Sequence, residues 1–203
     1  MKMQQVDFSS LYFGTPVAIL SSQNPDGSTN LSPISSWWIL EKHIVFGLGA
    51  SGKAYENIMQ NPDIVLNLPD STLWQNIELI ADKTGKENLS EDKKHLGYRY
   101  EKDKFSCGKF NKEKTITVHS QRIKECPVQI EAHVVAHRLL GRSEGGLVAV
   151  DASITCVHIA ETLLEISRSG IRFNAEKWKP LYYIFRHYFS VGDKLGNNFR
   201  CDN

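Results

Sequence analysis

The 203-residue sequence has almost no excess of charge, four cysteines and no long apolar run, and each shortage closes off a class of function. Lys and Arg number 24 against 23 Asp and Glu, a formal net charge of +1. With no long-range field of either sign to gather nucleic acid or an anionic membrane, any ligand must be recognised by local groups. Apolar runs such as Val17-Ala18-Ile19-Leu20 and Trp37-Trp38-Ile39-Leu40 fall far short of the roughly 20 residues that a spanning helix needs. Asp7, Ser9 and Ser10 interrupt the start of the chain where a secretory signal requires apolar residues, so the expected location is the cytoplasm. Cys107, Cys126, Cys156 and Cys201 are widely separated and form no CxxC pair, so they read as core or surface thiols rather than as a zinc or redox centre.

What remains is a globular composition, 41% apolar and 23% charged, which predicts one domain over residues 1–203. Within it, 83–114 is a charged excursion and 176–203 an aromatic C-terminal tail. Thr15 to Ser22 reads as a strand, and Asn24-Pro25-Asp26-Gly27 carries the turn chemistry of a hairpin whose return arm runs from Ser28 through Leu40. His43 to Phe46 starts a third strand. Helical spacing marks Lys53 to Met59, stopped by Pro62, and Ser71 to Ala81, with the strand Asp63 to Leu68 between them. Ser90 to Leu96 reads as a helical turn opened by a serine cap. Thr115 to His119 alternates, and Pro127 to His137 has the cleanest period of two. It puts Val128, Ile130, Ala132, Val134 and Ala136 on a buried face and Gln129, Glu131, His133, Val135 and His137 on the other. Leu147 to Val150 and Ile154 to Ile159 are two further strands. About seven short strands joined by turns, with about three helices inserted, predict a mainly β antiparallel barrel with added helices rather than a doubly wound sheet.

Gly47-Leu48-Gly49-Ala50-Ser51-Gly52 matches GxGxxG between a strand and a helix, yet a hairpin precedes it where a dinucleotide fold needs a βαβ unit. It also lies one residue from a P-loop pattern, but Ala54 stands where that loop needs a hydroxyl for magnesium. What survives is a strand-to-helix turn whose free N–H groups, with the Lys53 cation, suit a phosphate.

Taken in order, Thr15 to Ser22, Pro25-Asp26-Gly27, Asn30-Leu31-Ser32-Pro33-Ile34-Ser35-Ser36 and Gly52-Lys53-Ala54-Tyr55-Glu56-Asn57-Ile58 resemble the flavin reductase family with the FMN-binding split barrel. Val65 to Pro69, Leu73-Trp74, Arg99 to Phe105, Glu125 to Ala132 and Phe185 to Phe189 continue the resemblance over nearly the whole chain. It implies a six-stranded antiparallel Greek-key split barrel that forms a homodimer with FMN at the interface. It further implies hydride transfer from NADH or NADPH to the flavin and on to a small-molecule electron acceptor. The rival reading is an FMN-binding electron carrier or flavin store without fast NAD(P)H turnover.

The resemblance implies a cofactor set of Asn30, Ser32, Pro33, Ser35 and Ser36 along the ring, and Ser51, Gly52, Lys53, Ala54 and Asn57 at the phosphate. Strand alternation puts Trp37 and Trp38 on opposite faces, one for the core and the other, taken as Trp37, for the wall of the flavin pocket. Ala54 departs from the threonine usual in the family. The stretch Cys107-Gly108-Lys109, the basic Lys112 and Lys114, and Ser120-Gln121 depart from the matching branch too. No catalytic side chain is expected, since the flavin carries the chemistry and the protein need only stack two rings and stabilise charge near Ser35 and Ser36. Arg186, His187 and Tyr188 are expected to hold the nicotinamide cofactor or the acceptor, against the plainer reading of a packed C-terminal helix. Glu131, His133 and His137 share a strand face at metal-ligand spacing, but a solvated or interface face accounts for them and no metal is expected.

Overall fold

The computed structural model describes residues 1–8, 11–140, 146–167 and 170–199; Ser9, Ser10 and Cys201 lie outside the described residues. The chain opens with β1 (Thr15–Pro16), β2 (Ala18–Gln23), β3 (Thr29–Ile34), β4 (Trp37–Leu40), β5 (His43–Gly49), α1 (Lys53–Ile58) and β6 (Asp63–Leu68). A 3₁₀ turn at Ser71–Leu73 leads into α2 (Trp74–Ala81), followed by β7 (Lys83–Thr84), α3 (Glu91–His95), β8 (Arg99–Tyr100), α4 (Lys104–Cys107), β9 (Lys112–Glu113) and β10 (Arg122–Ile123). Two long strands, β11 (Val128–Leu140) and β12 (Leu147–Ile159), precede the hairpins β13 (Leu164–Ser167) with β14 (Gly170–Phe173) and β15 (Leu181–Ile184) with β16 (His187–Ser190). Among the described residues no helix is long and apolar enough to cross a membrane.

The main sheet is antiparallel throughout, in the order β3-β2-β6-β11-β12-β5-β4. It has seven strands where the resemblance implies six, because the arm expected to be one strand breaks at Ser35-Ser36. Its halves, β3 and β4, are consecutive in sequence yet occupy opposite edges of the sheet. The chain therefore ties one edge to the other. Two hydrogen bonds flank the crossing: Gly47 N–H donates to the Ser36 carbonyl at 2.8 Å, and the Trp37 indole N–H to the Pro16 carbonyl at 2.8 Å.

β2 is buried on both faces and feeds two cores. Ala18 and Leu20 join Ile44, Phe46, Leu66, Ile130 and Val150 in one, whereas Val17 and Ile19 meet Leu31, Ile77, Ile80, Phe105 and Ile123 in the other. The second core exists because α2 and α4 cover a sheet face that would otherwise be wet. Asn67, fully buried in β6, pins the two layers: its side-chain amide donates to the Ile19 carbonyl at 2.9 Å and the Ser21 hydroxyl at 3.0 Å, while its oxygen accepts from Ile123 N–H at 2.8 Å.

Four expectations fail for identifiable reasons. Thr115 to His119 is not a strand; the Ile116 and Thr117 N–H groups are spent on the buried Glu131 carboxylate, at 2.9 and 2.6 Å, instead of on a ladder. Leu147–Val150 and Ile154–Ile159 belong to one strand of 13 residues, and the polar stretch between them hides a pairing with β11 that continues through two register shifts. Those shifts leave Thr155 and Val135 outside the pairing, so the period of two in β11 slips only beyond Val135. Gln129 and Glu131, expected on the wet face, are buried because segment 116–126 covers them: the Gln129 amide donates to the Ile123 and Cys126 carbonyls, and Glu131 accepts from the Ile116 and Thr117 N–H groups. The aromatic tail forms the β15–β16 hairpin rather than a helix. Its two-residue turn holds Phe185 and Arg186 at φ 44° and 71°, the left-handed backbone of a type I′ turn.

Replacing Asn67 by Ala would leave the Ile123 N–H unpaired in the interior. A buried donor without a partner costs about 1–3 kcal/mol, and the amide's own two bonds are lost as well. Asn67→Ala is thus expected to lower the unfolding free energy by roughly 2–5 kcal/mol in a urea titration, with an unchanged m-value.

Candidate functional site

The break that ties the sheet edges also opens the principal cavity. Ser35 and Ser36 fall between the β3 and β4 ladders, and with Ser32, Pro33 and Ile34 they form one wall of a cavity of about 860 Å³. Gly47, Leu48 and Gly49, at the end of β5, face the same space, and the turn Ser51-Gly52 carries it to Lys53 and Ala54 at the start of α1. Small residues matter here because backbone lines much of this wall. A β-carbon on Gly85 would lie 2.5 Å from Asn30 Oδ1 and 3.0 Å from Lys53 Cγ, so glycine lets that loop close over both.

α1 has no side chain capping its first turn, and its first helical hydrogen bond runs from Glu56 N–H to the Gly52 carbonyl. The N–H groups of Lys53, Ala54 and Tyr55 therefore have no partner within the helix. Lys53 Nζ donates to Glu56 Oε1 at 2.6 Å, and Lys86 reaches Glu56 Oε2 at 3.2 Å. The hydrogen bond from Lys53, joined by that of Lys86, outweighs partial burial and holds the Glu56 carboxyl below the usual glutamate value.

The opposite wall comes from the charged excursion. Lys83, Thr84, Gly85, Lys93, Tyr98 and Lys104 all line the cavity, so segment 83–114 folds back as part of the site. With Lys53 and Arg186, five basic residues line this space against one acid, Glu78, among the described residues. Lys53 and Lys83 are ion-paired, with Glu56 and Asp82, yet a chain of net charge +1 still gathers more cations than anions here. Lys104 is the most enclosed of the five, 2% exposed, and its ammonium donates to the Leu31 carbonyl at 2.7 Å. Burial, with the Lys93 cation adding to it, pulls its pKa from the ordinary lysine value down to about 8.

At the far end stand Tyr12, Tyr183, Arg186 and Tyr188. The Tyr188 hydroxyl donates to Glu78 Oε2 at 3.0 Å; burial and this carboxylate raise its pKa, so the ring stays neutral. Arg186 and Tyr188 also border a second cavity of about 540 Å³ with Trp74, His187 and Phe189.

Of the residues expected at the cofactor, Ser32, Pro33, Ser35, Ser36, Ser51, Gly52, Lys53 and Ala54 meet in the larger cavity, and three do not. Asn30 is buried beside it, donating to the Ser32 hydroxyl at 3.1 Å. Trp37 packs against the first core and spends its N–H on Pro16. Asn57 is fully buried and ties α1 to the first hairpin through Ser22 Oγ at 3.1 Å and Asn24 Oδ1 at 2.9 Å. Among Arg186, His187 and Tyr188, only His187 lies outside the larger cavity. The metal-spaced trio on β11 is dispersed as well: His133 pairs with Asp63 at 3.0 Å, His137 with Tyr55 at 3.1 Å, and Glu131 turns to the β12 side. The lysines of the excursion were hidden because α3 and β7 are too short to show periodicity; their one sequence signal was Lys104 within the string Arg99 to Phe105.

A ligand anion that meets the Lys104 ammonium should lose affinity as the amine deprotonates. Binding of FMN, the ligand implied by the resemblance, is expected to weaken as pH rises through about 8. A charge-assisted bond is worth about 1.5–3 kcal/mol, so Lys104→Met should bind roughly tenfold to hundredfold more weakly at pH 7 and show no such limb in a fluorescence titration.

Comparison with known proteins points the same way. Residues 9–192 match the family model described as flavin reductase like domain. The chain is 37% identical over 201 residues to the uncharacterized protein YdfE of Bacillus subtilis (strain 168), covering 99% of this chain and 95% of that one. Its fold is similar to that of the flavoredoxin of Desulfovibrio vulgaris (Miyazaki F), with a TM-score of 0.76 at 17% identity, covering 98% of each chain. It is similar too to a protein of Shewanella frigidimarina NCIMB 400 described as a flavin reductase with split barrel domain, with a TM-score of 0.71 at 17% identity, covering 93% of this chain and 87% of that one.

Proposed function

Because the chain belongs to the flavin reductase like domain family, we propose that it is an FMN-binding oxidoreductase that takes hydride from NADH or NADPH and passes reducing equivalents to a small-molecule acceptor. The observation that carries this reading is the meeting, in one cavity, of the Ser32–Ser36 backbone with five basic side chains. The residues present fit the cofactor. A volume of about 860 Å³ suits a mononucleotide, one wall is backbone and small side chains, and the opposite wall is rich in lysine.

Bound flavin supplies the hydride-accepting chemistry; the chain supplies position and charge. In this reading Ser35 and Ser36, outside both ladders, offer N–H groups to the pyrimidine edge of the ring, where negative charge develops on reduction. The Lys53 ammonium, the Ser51 hydroxyl and the open first turn of α1 hold the phosphate, with Glu56 keeping Lys53 aimed between bonds. Lys104 adds a buried cation from the opposite wall. Arg186, Tyr183 and Tyr188 present a guanidinium and flat rings to an incoming nicotinamide cofactor or acceptor.

Purified protein is expected to carry flavin absorbance, or to gain it on adding FMN, and to bleach under anaerobic NADH or NADPH. Absorbance that resists both donors would assign the chain to electron carriage or flavin storage, and failure to bind FMN would remove both readings.

The reading includes a homodimer. Leu140 and Leu147 line the cavity and are 39% and 62% exposed, so an apolar rim stands open where a second copy could complete the enclosure. Light scattering should give twice the 23.0 kDa chain mass. Leu147→Glu is expected to yield monomers with at least tenfold weaker FMN binding; a monomer that binds FMN as tightly as the native protein would exclude a shared site.

A further inference from the structure

Away from the cavity, the ladder between β11 and β12 brings a glutamate of β11 against a cysteine and a histidine of β12, three metal-binding side chain types. Glu131 stands directly opposite Cys156 in register, and His158, two residues further along β12, projects from the same face. His158 Nε2 lies 2.7 Å from Glu131 Oε1 and 3.5 Å from Cys156 Sγ, and all three donor atoms fall within 4.8 Å of one another. We propose that Glu131, Cys156 and His158 form a binding site for a divalent transition-metal ion of the zinc class.

The geometry is close to what such an ion requires. Tetrahedral zinc, with bonds of about 2.0–2.1 Å to nitrogen and about 2.3 Å to sulfur, spaces its donors roughly 3.5 Å apart. The histidine-to-cysteine distance already meets that spacing, and the histidine-to-glutamate contact need open by only about 0.7 Å when the ion replaces the proton between them. Thiolate, imidazole and carboxylate together favour zinc, cobalt or copper over magnesium or calcium, which prefer all-oxygen shells.

The carboxylate is also held as a metal ligand should be. Glu131 is fully buried, and Thr117 fixes its Oε2 through its N–H at 2.6 Å and its hydroxyl at 2.7 Å. Ile116 N–H straddles both oxygens, at 2.9 and 3.1 Å. That outer layer leaves Oε1 turned toward His158. The competing cation is Arg122, whose Nε stands 4.0 Å from Oε1 and whose guanidinium is engaged by Gln129 and the Lys114 carbonyl. Cys156 and His158 are only partly buried, so an ion can enter, and a water molecule can take the fourth position. Loading releases the thiol proton, together with the imidazole proton where it is present, so affinity rises with pH. None of the three side chains borders the cavity of about 860 Å³, which makes this site independent of the flavin reading.

The test is a cobalt titration of the whole protein after chelator dialysis, read as a difference spectrum against the same sample without metal. One equivalent of Co²⁺ is expected to bind, with a thiolate-to-cobalt charge-transfer band and the visible bands of a tetrahedral ion, and Zn²⁺ should displace it. Cys156→Ser should abolish the charge-transfer band and lower affinity at least tenfold, as should His158→Gln for affinity, while Cys107→Ser changes neither. Absence of saturable binding to the native protein would overturn the proposal, and so would a Cys156→Ser variant with the native spectrum and affinity.

Discussion

The architecture depends on one covalent constraint: the strand leaving the first hairpin cannot remain in its ladder. At Ser35-Ser36 the chain quits one edge of the sheet and joins the other, so the two edges are joined by two residues of backbone. A sheet tied in this way buries its interior against itself, and β2 and β6 become buried on both faces once α2 and α4 cover the outside. The same crossing leaves N–H groups outside both ladders, beside a volume that no side chain fills. Closure and cavity are two results of a single break.

The sequence disclosed the local parts of this arrangement well. The Asn24–Gly27 turn, the strand from Asp63 to Leu68 and the two helices after Gly52 and Leu68 lie near where turn chemistry and spacing put them. Local signals could not report pairing. The break at Ser35-Ser36 carries no proline or glycine of its own, and β12 crosses the polar Asp151 to Ser153 because a strand can hold polar residues when it twists past its neighbour. Asn57 illustrates the limit on single residues. Its place beside the glycine turn implied a ligand contact, whereas its amide is committed to Ser22 and Asn24, a contact 35 and 33 positions away that spacing cannot reveal.

Segment 83–114 shows how charge can mislead when read as composition. Its ten basic residues and six acids are interspersed over elements too short to show periodicity, so it resembles a solvated excursion. Folded, its Arg99 and Lys102 turn to acids outside the segment, Asp82 and Asp26, while Lys83, Lys93 and Lys104 line the cavity. The near-zero net charge of the whole chain thus conceals a local separation of charge. Lys104 bears the largest cost of that separation, since the site keeps an amine where water cannot fully solvate it.

The β15–β16 turn sets function against robustness. Asn-Gly would occupy its left-handed positions with little strain, yet the chain keeps Phe185 and Arg186 there. Phe185 is clasped edge-on by Phe8 and Phe13 from the amino-terminal segment, and Arg186 stands between the two cavities. Directed selection for thermal tolerance would therefore tend to rewrite these two positions first. A lineage that did so would gain a firmer hairpin, release its amino-terminal arm, and surrender a guanidinium that borders both cavities.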